Sequence, residues 1–116
     1  IGKLNRNMFV IQASGHSMEP RIHDGDYCVF NKNVAGTRQG KIVLVQHYNY
    51  YDSDYSGAYS IKKYNSQKMY DEYGSWQHEK IELLPLNKEY DPIVISEEDG
   101  AEFRVIGEFI DTIDIA

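Results

Sequence analysis

The sequence predicts one mostly β domain of many short strands, barrel-like or a folded sheet, with little helix. Three observations carry this expectation. Short apolar runs recur along the chain, each closed by Gly, Asp, Asn or Pro. No stretch keeps the 3.6-residue period of an amphipathic helix beyond about two turns. Aromatics make up 13% of the residues and most are Tyr, which suits pleated, half-buried surfaces. A chain of 116 residues has room for a single core. Residues 1–7 read as a polar lead-in and residues 8–116 as the domain.

The elements follow in order. Residues 8–13 are an apolar strand. Residues 14–26 are rich in turn formers, with Ser17 placed to open one short helical turn, Glu19 inside it, then Pro20 and Asp24-Gly25-Asp26. Residues 27–32 form a strand, and the two glycines of residues 35–40 mark a loop. Residues 41–47 are β-branched and apolar, the length of a buried strand. Residues 48–57, dense in Tyr, Asp and Ser, read as a hairpin loop, and residues 58–64 as the next strand. Residues 65–77 are polar and read as a long loop or a hairpin extension. Residues 80–84 alternate and stop at Pro85. Residues 92–95 are a short strand and residues 97–100 an acidic turn. Residues 102–115 form the last strand, bent at Gly107.

Composition excludes several classes. A net charge of -6 argues against this domain gripping nucleic acid. One cysteine, Cys28, rules out an internal disulfide, fits a reducing cytoplasm and reads as a small buried hydrophobe. No apolar run reaches the length of a membrane span or a signal peptide. The start at Ile1 leads us to expect a fragment or processed product. The four histidines, His16, His23, His47 and His78, lack the close spacing of a metal site, so no metal is expected.

The turn-rich stretch between two apolar strands is where a scaffold presents chemistry. Ser17 is its candidate nucleophile and needs a base. His16 is its neighbour, and in an extended turn it points away from Ser17, which removes a Ser–His–Asp triad. Asp24 and Asp26 read as turn chemistry more than as an acid–base pair. A lysine held neutral in an apolar pocket is a competent base. Lys62 lies in a predicted strand beside Ile61 and Tyr64. Alternation leaves open whether Lys62 or Lys63 points inward, and an edge-strand lysine is the competing reading.

Four blocks then stand in order: Ser14-Gly15-His16-Ser17-Met18-Glu19-Pro20, Asp24-Gly25-Asp26, Ser60-Ile61-Lys62-Lys63-Tyr64 and Ile81-Glu82-Leu83-Leu84-Pro85-Leu86-Asn87. Together they resemble the LexA-type S24 peptidase family, the self-cleaving C-terminal domains of SOS repressors, phage repressors and mutagenesis proteins such as UmuD. The resemblance spans roughly residues 8 to 115 and implies a LexA-type fold of one domain, with short, strongly bent antiparallel strands forming a barrel-like folded sheet. It implies Ser17 as nucleophile and Lys62 as base, with Lys63 at a second basic position that is commonly Arg. It further implies an oxyanion site from backbone N–H groups around Ser17 and Met18, and a cleft lined by His16, Glu19, Pro20 and Asp26.

The resemblance implies no cofactor. The implied partners are the chain's own upstream linker, cut at a small-residue–Gly bond, and a second copy met through the C-terminal strand. A RecA-type filament is implied as co-protease, with DNA bound only through a domain outside this chain. The location implied is cytoplasmic, without a membrane. Sixteen residues precede Ser17, and Gly2 is too close to serve as the cleaved bond, so the substrate segment is expected outside this chain. The loops at 48–57 and 70–76 look longer than in short repressors and are candidates for partner recognition, with Trp76 either packing on the sheet or marking an interface. Two other readings compete. One is a non-catalytic dimerisation module of a larger DNA-associated protein, and the other a signal-peptidase-like domain.

Overall fold

The computed structural model describes residues 5–34, 36–47, 59–96 and 103–114, without the side chains of His47, Trp76, Gln77, His78, Ser96 and Phe103. The expected hairpin loop at 48–57, the acidic turn at 97–100 and the packing of Trp76 lie outside the described residues. Seven strands form one antiparallel sheet: β1 (Met8–Gln12), β2 (Tyr27–Asn31), β3 (Ile42–His47), β4 (Tyr59–Tyr70), β5 (Trp76–Leu84), β6 (Ile93–Ser96) and β7 (Phe103–Ile113). Their order is β1-β2-β7-β3-β4-β5-β6. The mostly β class stands, and no helix occurs among the described residues. The sheet is not closed into a barrel: β1 and β6 are its two ends.

β3 sits in mid-sheet, pairing with β4 over Ile42–Gln46 and with β7 over Val43–His47. Its Val43 and Val45 enter one apolar cluster with Tyr64, Leu83 and Ile95, while Leu44 enters another with Met18, Ile22, Cys28, Phe30 and Ile61. Burial on both faces is why its sequence is a continuous apolar run rather than an alternation.

The long strands are shared between partners. β4 pairs with β3 through Tyr59–Lys63 and with β5 through Lys63–Tyr70. β7 pairs with β3 through Phe103–Glu108 and with β2 through Glu108–Ile113. Register shifts skip Ile106 and Ile110, so the bend of β7 is distributed over two bulges around Gly107 rather than made by the glycine alone.

The polar stretch 65–77 is a hairpin extension. Ser66–Tyr70 pairs with Trp76–Ile81, and the turn between them is built by Asp71. Asp71 Oδ1 accepts from the N–H groups of Tyr73 and Ser75 at 2.9 and 2.8 Å, and Gly74 takes a positive φ of 83°. This ribbon is held by main-chain pairing and has little buried surface, so it carries no apolar alternation. Of the polar lead-in, Asn5–Asn7 is docked: Asn7 accepts from Lys32 N at 2.8 Å.

Gly107 permits a close approach. A Cβ there would lie 3.0 Å from the Asn31 carbonyl oxygen and 3.1 Å from the Phe9 ring. Gly107→Val is expected to destabilise the fold by about 1–3 kcal/mol through overpacking, read as a lower urea midpoint.

Candidate active site

The Ser14–Asp26 stretch is tied back on itself before it meets the sheet. Ala13 N donates to the Asp26 carbonyl at 2.7 Å, and Gly25 N donates to the Ala13 carbonyl at 2.9 Å. Asp24 Oδ1 accepts from Gly15 N, and Asp26 Oδ2 from His23 N, both at 2.8 Å. Both carboxylates therefore hold backbone N–H groups of the turn. Gly25, at φ 87°, sits in the left-handed region that the turn requires.

The expected helical turn is a pair of tight turns. Glu19 N donates to the His16 carbonyl at 3.2 Å, and Arg21 N and Ile22 N to the Met18 carbonyl at 3.1 and 3.0 Å. The Glu19–Pro20 bond is cis. Met18 and Ile22 are buried in the core and anchor the turn by apolar contact. Arg21 adds an outer tie, with its guanidinium 3.0 Å from Asp111 Oδ1 and 4.8 Å above the Phe109 ring on β7. The half-exposed ion pair contributes little, and the cation–π contact about 0.5–1 kcal/mol.

Ser17 and Lys62 meet across forty-five positions of sequence. Lys62 Nζ donates to Ser17 Oγ at 3.0 Å and to the Ile61 carbonyl at 3.2 Å. Ser17 is 6% exposed and Lys62 is 2% exposed. A solvated edge lysine is thereby excluded. Lys62 lies opposite Val43 in register, whereas Lys63 lies opposite Ile42 and Leu84 and points the other way.

The remaining candidates are arranged around the turn. His16 and His23 flank Glu19, each Nδ1 3.2 Å from one carboxylate oxygen. Hydrogen bonds from His23, then His16, hold the Glu19 carboxyl below the usual carboxylate range. His16 is exposed and turned to Glu19, and Pro20 is exposed. Among the described residues no group of His, Cys, Asp and Glu forms a metal site.

Two residues without an assigned role in the sequence hold Ser17 in place. Leu86 N and Asn87 N both donate to the Ser17 carbonyl at 3.0 Å, and Asn87 Nδ2 donates to the His16 carbonyl at 3.0 Å. Read locally, Pro85 ends a strand and residues 86–90 are a turn. The contact spans about seventy positions, and composition or spacing gives no sign of it.

A buried serine set against a buried lysine is an arrangement in which a serine can be activated as a nucleophile. The chain is a member of the peptidase S24-like family, whose model matches residues 2–110. No curated protein matches the chain. No helix among the described residues is long and apolar enough to cross a membrane.

Cys28 lies in the same core cluster as Met18. Burial, and secondarily the charge of Asp26, pushes its thiol up to about 11. The native protein is expected to resist an aromatic disulfide reagent at pH 8 and to release one equivalent of thiolate colour only after denaturation.

Proposed function

We propose that this domain is a Ser–Lys serine endopeptidase that cleaves a linker upstream of itself, within a cytoplasmic transcriptional repressor or SOS-response regulator. The observation that carries this is the 3.0 Å contact between Lys62 Nζ and Ser17 Oγ, with both side chains buried. Burial on ordered elements favours the reaction geometry, because neither group needs to be immobilised during the reaction.

The steps are as follows. Lys62, as the free amine, takes the Ser17 proton while Oγ bonds to the scissile carbonyl carbon. The carbonyl oxygen becomes an oxyanion, stabilised by the N–H groups of Ser17 and Met18. The C–N bond then breaks and Lys62 gives its proton to the leaving amine. Water attacks the Ser17 ester, loses a proton to Lys62, and the acid product departs as Ser17 regains its proton. No cofactor takes part. His16, Glu19, Pro20 and Asp26 would border the bound segment, and a RecA-type filament would act by favouring its entry. DNA would be contacted only by a separate domain.

Expression of the parent protein with its linker tests this. Ser17→Ala and Lys62→Ala should each abolish linker cleavage on an electrophoretic time course, at least a thousandfold in rate. Cleavage by the native protein should rise from neutral to alkaline pH, because the base must be unprotonated. Unchanged cleavage in both variants would exclude the dyad.

The same reading includes a homodimer through the C-terminal strand. The Phe109–Ile113 half of β7 has β2 on one side and no described strand on the other, which favours pairing with a second copy. Light scattering should give twice the 13.4 kDa chain mass, and Ile110→Lys should shift the mass toward the monomer.

A further inference from the structure

One segment grips two consecutive peptide units at the nucleophile. The His16 carbonyl accepts from Asn87 Nδ2, and the Ser17 carbonyl from Leu86 N and Asn87 N, all at 3.0 Å. In a trans peptide unit the C=O and N–H point in opposite directions. The Ser17 N–H shares its plane with the His16 carbonyl, and the Met18 N–H shares its plane with the Ser17 carbonyl. With both carbonyls turned to Leu86–Asn87, both N–H groups face away from that segment, toward a common side. Neither has an acceptor among the described residues. Successive N–H groups left open in this way form an anion-binding concavity.

The Asn87 side chain is itself oriented. Its Oδ1 accepts from Glu89 N at 3.0 Å, which leaves the Nδ2 donors to face His16. Backbone bonds alone would hold the Ser17 carbonyl. The His16 carbonyl, in the His16–Ser17 plane, accepts from this side chain at 3.0 Å and from Glu19 N at the longer 3.2 Å.

We infer that Asn87 is a positioning residue for the oxyanion site: its side-chain amide fixes the His16–Ser17 peptide plane, and so aims the Ser17 N–H, beside that of Met18, at the oxygen that becomes negative when Ser17 adds to a carbonyl. This inference rests on the Ser–Lys peptidase reading. Asn87 touches neither Ser17 Oγ nor Lys62 Nζ in this arrangement, so it acts on the oxyanion and not on the proton transfer.

The test uses the chain with a fluorophosphonate. Ser17 Oγ bonds to phosphorus, fluoride leaves, the Ser17 proton passes to Lys62, and the phosphoryl oxygen takes the oxyanion position. In Asn87→Ala and Asn87→Asp the maximal labelling rate should fall about tenfold to a hundredfold, with the half-saturating concentration within about twofold of wild type. The pH dependence should keep its position, since the Lys62–Ser17 contact is intact. Asn87→Asp isolates the donor, because it keeps the oxygen that Glu89 N uses, and it carries the comparison should Asn87→Ala fail to fold.

Crystal structures of the variants should show the His16–Ser17 plane rotated with Lys62 Nζ still beside Ser17 Oγ. A folded variant that labels at the wild-type rate, or a plane that does not move, overturns the inference. Labelling of the wild type that survives Ser17→Ala overturns the peptidase reading instead, and the rotation of the plane still decides whether Asn87 positions it.

Discussion

The pairing of Lys63 with Leu84 is the constraint on which the site depends. It is where β4 passes from β3 to β5, and it sets the register on both sides of that point. One residue before it, Lys62 reaches Ser17. Two and three residues after Leu84, Leu86 and Asn87 reach the carbonyls of His16 and Ser17. A slip of one residue in this pairing would turn Lys62 to the opposite face. The register is protected by burial, since Tyr64 and Leu83, which pair next to it, lie in one apolar cluster.

The turn that carries Ser17 is thus held from three directions. Its own Asp24-Gly25-Asp26 segment closes it, the core side chains of Met18 and Ile22 seat it, and the chain leaving β5 grips its carbonyls. Each hydrogen bond contributes about 0.5–1.5 kcal/mol net, and each fully buried apolar chain about 1.5–3 kcal/mol. Contact for contact, a seated core side chain therefore stabilises more than a hydrogen bond, and the hydrogen bonds also set orientation. This division matters for chemistry, because apolar packing holds a turn in place without deciding which way its peptide planes face.

Much of the fold was legible in the residues. The apolar run 41–47 is a strand buried on both faces, and the turn signals at Asp24-Gly25-Asp26 and Pro85 mark real chain reversals or strand ends. The polar ribbon Ser66–Tyr70 with Trp76–Ile81 was legible only as one of two possibilities, because pairing without burial leaves no apolar period. At the site, the residues named Ser17 and Lys62, but alternation could not choose between Lys62 and Lys63: each shares its face with an apolar neighbour. The resemblance of the motif blocks made that choice, and in the structure Lys62 is buried.

The sequence by itself determined the β class and the turn that carries Ser17. These follow from local patterns, in which neighbours along the chain settle the outcome. Only the tertiary structure decided that the sheet remains open, that Lys62 is buried with its Nζ 3.0 Å from Ser17 Oγ, and that the Asn87 side chain donates to the His16 carbonyl beside Ser17. Those facts depend on strand order and register between segments forty to seventy positions apart, and no local pattern encodes a contact made only when distant strands assemble into one sheet.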